Sequence, residues 1–429
     1  MKFLLVLCLA ATALVAQDSS ADSSGDVTRR VTAASQFFDH DFVNVFVFAN
    51  GIWDSRVPEL TNNQAAYGSG LGWQAGGGIT GSHQFRDGGI TLSYTASYQE
   101  YPGGVFSGGL TQTLALGYSK RLTRRWVLGA TVSGGELSYG TTYYGATSAG
   151  TSVSANPFSS SSRFLSAAVS ATYNQTRRLS YAFSGSGFLN NYNFGHAFNS
   201  YGATGSASVY YRLTARTTIG GTYMHTYYTY SQGAGTSNMD SGLLTLSHRF
   251  PNHWQLDLSA GINRIHSKGD ITIPVSFIFN GATVMGYETG VYNRSIYSPA
   301  FQGVLSRAFR HSSFSVSGGQ SIGAGNGTYL TSRSQFANAL FSVATFHRST
   351  FGIGGTYIRL SSVANAVAQT YSTYDISANY GINLVRYLSA NFRYDFLHYD
   401  GLFGYASLNE SRATFGLSLS SKSVPLTLF

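Results

Sequence analysis

The sequence predicts an all-β fold closed into a transmembrane antiparallel β-barrel of about eighteen strands, and three observations carry that prediction. Apolar and polar residues alternate with period two along many strand-length segments. Charged residues make up only 10% of the chain, against roughly 25% in soluble domains. Short basic turns alternate with longer stretches rich in Gly, Ser, Tyr and Asn. Past the first segment no apolar run approaches the roughly 20 residues of a membrane helix, so a chain of this kind crosses a bilayer with strands.

The first residues predict export. Lys2 supplies a positive start, Phe3 to Val15 an apolar core, and Ala16 before Gln17 the cleavage point. Residues 1–16 are therefore expected to be a signal peptide, 17–40 a short disordered Ser/Asp-rich periplasmic segment, and 41–429 the barrel. Cys8 is the only cysteine, and Leu7 before it is too bulky for a lipoprotein site. Without Cys8 the mature chain has no thiol for disulfides or thiolate metal sites. Removing Lys2 leaves 26 Lys and Arg against 18 Asp and Glu, a net +8. The arginines form neither a groove-reading helix nor an RNA motif, so nucleic acid is not an expected partner.

The alternation is explicit. Ile90, Leu92, Tyr94, Ala96 and Tyr98 share one face, with Thr91, Ser93, Thr95, Ser97 and Gln99 on the other. Trp254 to Asn263, Tyr374 to Leu384 and Leu388 to Phe396 repeat the pattern, giving strands with one oily and one wet face. The turns Arg86-Asp87-Gly88-Gly89, Thr123-Arg124-Arg125, Thr176-Arg177-Arg178, Thr214-Ala215-Arg216 and Pro251-Asn252-His253 punctuate the first half. Those at Arg310, Arg348 and Arg386 punctuate the second. Most lie about 36 to 38 residues apart, two strands plus one loop. Eight short turns link eighteen strands if both termini lie on the periplasmic side, with 54–70, 140–162 and 267–298 as long loops. Asn280-Gly281, between Ile271–Phe279 and Ala282–Tyr287, signals a hairpin. It is read as part of a loop over or into the mouth. Alternative strand counts are about 16 or 20.

Aromatics border both sets of turns. Trp126, Phe250, Trp254, Phe309, Phe314, Phe351 and Tyr387 lie beside the short ones. Trp53, Trp73, Tyr98, Tyr101, Tyr139, Tyr227 and Tyr228 lie beside the long ones, giving two headgroup-level belts. Across residues 40 to 421 this pattern resembles the porin-like outer-membrane barrels of Gram-negative bacteria. The closing Val424-Pro425-Leu426-Thr427-Leu428-Phe429 is similar to their assembly signal, although Pro425 places the end of the last strand near Ser420. The resemblance implies outer-membrane lipid and the barrel-assembly machinery as partners, and a homo-oligomer as one assembly state.

No catalytic constellation emerges from the 10 histidines, and no cofactor or metal site is expected. His225 and His248 fall in the lipid-facing phase, and His196 has no partner at ligand spacing. Gly185-Ser186-Gly187 lies inside a strand, where it relieves crowding and cannot cradle a phosphate. Arg212, Arg249 and Arg393 against Asp257, Asp375 and Asp395 are the candidate lumen-facing charges. The other residues of that face are mostly small and polar. Arg124, Arg125, Arg177, Arg178, Arg216, Arg310, Arg348 and Arg386 are expected to ring the periplasmic mouth. They either draw in anions or contact lipid phosphates.

Three functions fit. The first is a passive channel for small hydrophilic solutes, narrowed by loop 140–162 or 267–298. The second is an export conduit for an anionic polymer such as an exopolysaccharide. The third is a structural barrel with a closed lumen and partner-binding loops.

Overall fold

The computed structural model describes residues 42–61, 64–102, 108–138, 161–192, 199–231, 234–279, 282–323, 331–345, 348–363, 370–400 and 408–421. The expected signal peptide 1–16, the segment 17–40, Tyr139, most of loop 140–162 and the terminal 424–429 lie outside the described residues. The strands are β1 (Phe42–Thr61), β2 (Gln64–Phe85), β3 (Gly88–Glu100), β4 (Gly108–Arg121), β5 (Trp126–Ser138) and β6 (Ser161–Asn174). They continue as β7 (Leu179–Tyr192), β8 (Ser200–Arg212), β9 (Thr217–Tyr230), β10 (Gly235–Arg249), β11 (Trp254–Phe279) and β12 (Ala282–Ala308). The last six are β13 (Ser312–Gly323), β14 (Ser332–Thr345), β15 (Ser349–Ser362), β16 (Thr370–Asn383), β17 (Leu388–Asp400) and β18 (Leu408–Ser420).

Each strand pairs antiparallel with its sequence neighbours, and β1 also pairs with β18 from Phe46↔Ser420 to Asp54↔Arg412. The sheet is closed, with 18 strands. Closure pairs both flanks of every strand along the middle of the wall, so the sheet has no free edge strand. Both the start of β1 and the end of β18 lie on the rim of short turns.

Three of those turns share a hydroxyl device. Thr123 Oγ1 accepts from the backbone N–H of Arg125 and Trp126 at 3.2 and 3.1 Å. Thr176 does the same for Arg178 and Leu179, and Thr214 for Arg216 and Thr217. A threonine before the arginines thus satisfies the donors a tight turn leaves over. The arginines themselves point into solvent.

Two strand pairs outgrow the wall. The β1–β2 ladder continues past its neighbours to Thr61↔Gln64, with an irregularity between Asp54 and Val57. The β11–β12 ladder runs unbroken from Trp254↔Arg307 to Phe279↔Ala282, whereas β10 leaves β11 after Lys268. Segments 54–70 and 267–298, expected as loops, are therefore largely two-stranded ribbon. Asn280 and Gly281 lie outside the described residues, and the β11–β12 ribbon adds no strand to the 18 of the sheet.

The sheet has two chemically distinct faces. Val45, Val47, Ile79, Ile90, Leu92, Leu114, Leu116, Val169, Leu244, Leu258 and Ile262 stand exposed on one face, Leu244 at 74%. That face is the outside of the cylinder, where only lipid can cover so much aliphatic surface. Trp126, Phe250, Phe309, Phe351 and Tyr387 edge it at the short-turn rim. Trp53, Trp73, Tyr98 and Tyr227 edge it at the long-loop rim. Tyr101 and Tyr228, expected in the same belt, are instead 3% and 0% exposed on the inward face. Tyr228 follows Tyr227 directly, so period two sends one of the pair inward. Tyr101 packs against inward Ile52.

Candidate functional site: the lumen

The inward face is built from small hydroxyls that satisfy one another across the ladder. Ser184 pairs with Ser206 at 2.7 Å, Ser133 with Ser166 at 3.0 Å and Ser389 with Ser418 at 2.8 Å. On the adjoining strands Thr204 donates to Thr226 and Thr222 to Ser208. Such pairs hydrogen-bond laterally, leaving a smooth polar wall with little side-chain bulk reaching toward the axis.

All six candidate lumen charges fall in the inward phase. Arg393 chelates Asp395 from two positions along β17, Nε to Oδ1 and Oδ2 at 2.8 and 2.9 Å. Asp257 accepts from Gln255 Nε2 at 2.6 Å. Asp375 is buried on β16, while Arg212 and Arg249 stand exposed at the short-turn rim. The wall therefore brings Arg393 and Asp395 together and leaves Arg212 and Arg249 as rim charges.

A second charge group was not legible in the sequence. Arg412 on β18 reaches Asp54 on β1 and Glu410, each at 2.9 Å through Nη2. Tyr101 Oη donates to Asp54 at 3.4 Å. One guanidinium thus bridges two carboxylates at the seam where the sheet closes. Finding it requires the β1–β18 register, which no local pattern encodes. The inward phase of β1 also carries Phe46 and Phe48, stacked 6.4 Å apart over the glycines of β2. Toward the long-loop rim the inward face is mixed, with Leu137, Phe188, Tyr228, Ile358, Leu360 and Leu397 buried beside Gln99, Ser138, Asn190, Ser200, Ser237 and Ser267.

An unexpected element lies inside the wall at that rim. On β13 the outward phase runs Phe314, Val316, Gly318, Gln320, Ile322, on β14 it holds Ala337 and Ala339, and on β15 it holds Phe351 and Ile353. Continued upward it reaches Ile322, Thr331 and Val363, yet these touch inward-facing residues of β9 to β11. Ile322 packs on Met239 and Ile265, with Val363 and Met224 alongside. Thr331 Oγ1 meets Tyr230 Oη at 3.0 Å and also contacts Ser237 Oγ, which bonds Ser267 Oγ at 2.6 Å. Val363 donates its backbone N–H to Thr331 O at 2.9 Å.

An outward surface can lie on an inward surface only if the first has moved inside the second. The upper ends of β13, β14 and β15 therefore form a lip tucked under the wall of β9 to β12. The separation begins where β12 and β13 part, after Phe301↔Gln320, and Gln320 Nε2 there donates to Ser298 Oγ and to Pro299 O. Loops 140–162 and 267–298 were the elements expected to narrow the pore. Residues 139–160 lie outside the described residues, and 267–298 belongs mostly to the β11–β12 ribbon.

At the short-turn rim Arg124, Arg125, Arg177, Arg178, Arg216, Arg310, Arg348 and Arg386 are all exposed. Arg386 lies 5.5 Å from the Tyr387 ring, and Arg307 is 4.2 Å from Phe309 and 5.1 Å from Trp254. Guanidinium-on-aromatic pairs at a belt position hold charge at the height of lipid headgroups. Among the described residues no group of three His, Cys, Asp or Glu side chains could hold a metal ion. No helix there is long and apolar enough to cross a membrane.

No family model matches the sequence, and no curated protein matches it. Similar solved structures include Pseudomonas aeruginosa OccK9 (OpdG), 11% identical, with a TM-score of 0.42 over 88% of this chain and 98% of that one. A BenF-like porin from Pseudomonas fluorescens is 13% identical, with a TM-score of 0.43 over 88% of this chain and 99% of that one. Acinetobacter baumannii OccAB4 is 8% identical, with a TM-score of 0.39 over 89% and 99%. Values this low place no residue of this chain in correspondence with a residue of those proteins. The closed wall, its aliphatic exterior and its two aromatic edges identify the chain on their own terms, as an eighteen-stranded outer-membrane β-barrel.

Proposed function

We propose that the barrel is a porin-like channel for passive diffusion of small hydrophilic solutes, with its short turns and both ends of the strand array on the periplasmic side. The observation that carries the reading is the hydroxyl-lined inward face of a closed sheet of 18 strands. A closed sheet of that circumference is too wide for its own side chains to fill, and the hydroxyl pairs add little bulk to it. The Arg393–Asp395 pair and the two rim arginines, Arg212 and Arg249, add charge of both signs without a continuous ladder of one sign. Weak ion selectivity follows.

The test is conductance of the refolded protein in a planar bilayer, with selectivity from the reversal potential in a salt gradient. Discrete open levels with a small reversal potential support the reading. A protein shown to be folded that passes no current overturns it. Strong anion preference would transfer the weight to the exposed arginine rim and a polymer substrate.

A further inference from the structure

The tucked lip differs from the rest of the wall in three ways. One side is unzipped, because among the described residues β12 and β13 share no pairing beyond Phe301↔Gln320. The other side stays attached, with β15 and β16 paired to Ser361↔Thr370. A line of small residues crosses its base: Gly318 and Gly319 on β13, Ala337 and Ala339 on β14, Gly354 and Gly355 on β15. These are neighbours in register, Gly318↔Ala337 and Ala339↔Gly355. Strands bend most readily where side chains are absent or minimal.

Among the described residues, hydroxyl contacts and one small apolar cluster hold Ile322, Thr331 and Val363 inward. Thr331 is fastened by hydroxyl contacts to Tyr230 and Ser237, for which water is a near-equal substitute. Ile322 and Val363 supply a small apolar contact with Met239, Ile265 and Met224. The same two side chains belong by phase to the outward row, whose other members are lipid-facing Val316, Phe351 and Ile353. Both positions of the lip are therefore chemically acceptable. Inside, it covers inward-facing Met239 and Ile265; aligned with the wall, it returns Ile322 and Val363 to the outer surface.

We infer that the ends of β13, β14 and β15 form a displaceable lip, and that Ile322, Thr331 and Val363 on it set the limiting aperture of the lumen. This rests on the channel reading above and adds what determines the size of solute admitted. With the lip tucked, the opening is bounded by β13–β15 on one side and the opposite wall on the other. With the lip aligned, the full circumference of the barrel bounds it.

The test uses the full chain carrying Ser237→Cys and Thr331→Cys, whose wild-type hydroxyls touch. Diamide closes the disulfide and dithiothreitol reopens it. The readouts are single-channel conductance and the largest polyethylene glycol that enters the pore. The oxidised form is expected to show at least a twofold lower conductance and a smaller size limit than the reduced form. Ile322→Ser, which weakens the apolar contact without new covalent chemistry, is expected to raise both above wild type. If the double variant does not fold, Ile322→Ser against wild type decides alone. Equal conductance and equal size limit across these comparisons overturn the lip while leaving the channel standing. Folded protein that passes no current in any form overturns the channel reading and the lip with it.

Discussion

Arg412 on the last strand grips Asp54 on the first at Oδ2, with Nε at 3.0 Å and Nη2 at 2.9 Å. The guanidinium side chain is 14% exposed and the carboxylate 4%, so neither is well hydrated. Removing one partner strands the others, and breaking a buried pair in this way costs about 3–5 kcal/mol. Arg412→Met is expected to lower the urea midpoint of the folded barrel accordingly. Arg412→Met combined with Asp54→Asn and Glu410→Gln recovers a large part of the loss. Stability unchanged in Arg412→Met would show that the seam does not depend on this contact.

The turn hydroxyls predict a graded series. Thr123→Val, Thr176→Val and Thr214→Val each leave two backbone donors to water, at a cost of about 0.5–1.5 kcal/mol apiece. The turn between β16 and β17 has the same backbone bonds, Leu384 N to Leu388 O at 3.0 Å and Val385 N to Leu388 O at 3.2 Å, but a valine in the threonine's place. Val385→Thr should therefore stabilise by a similar amount. Urea unfolding of the four variants checks both directions at once, and a destabilised Val385→Thr would refute the shared device.

Face assignment is tested by charge. Leu244 and Val169 are 74% and 61% exposed on the outward face. Leu244→Arg or Val169→Arg places a cation in hydrocarbon and should cost about 2–4 kcal/mol near the bilayer midplane. Ser184→Arg, one step out of phase, should change stability by less than about 1 kcal/mol and instead shift ion selectivity toward anions. Reversed outcomes in unfolding and reversal-potential measurements would mean that the faces are exchanged.

Gly416 tests the inward face from its crowded side. A methyl group built there would collide with the side-chain amides of Asn50 and Asn391, whereas one at Gly205 would meet nothing within 4 Å. Gly416→Ala should destabilise by about 1–3 kcal/mol, and Gly205→Ala should be neutral or slightly stabilising. Equal effects of the two in thermal unfolding would count against close packing at the seam.

Period two made the wall legible residue by residue, because alternation in a half-wet strand is local and needs no partner. The turns were legible for the same reason, although the role of Thr123, Thr176 and Thr214 lies in backbone geometry that composition does not display. What stayed hidden depends on which strand lies beside which. Arg412 and Asp54 are far apart in sequence, and nothing local joins them. The lip is the sharper case. Ile322, Thr331 and Val363 keep the outward phase throughout, so alternation assigns them to lipid, and only the separation of β12 from β13 brings them inside. Tyr101 and Tyr228 were misplaced more simply, by taking proximity to a rim as evidence for its outer surface.

The seam has a kinetic consequence. Of the 18 pairings in the sheet, 17 join consecutive strands and can form as local hairpins in any order. The remaining one, β1 with β18, unites residues 358 apart, such as Asp54 and Arg412. Its closure entropy cannot be recovered piecemeal, so it must come last and slowly. Until then the array is an open ribbon, with the backbone groups of β1 and β18 unpaired along their whole free edges. The lifetime of that ribbon, more than the strength of any contact in the finished cylinder, decides whether the chain closes on itself or pairs with another copy.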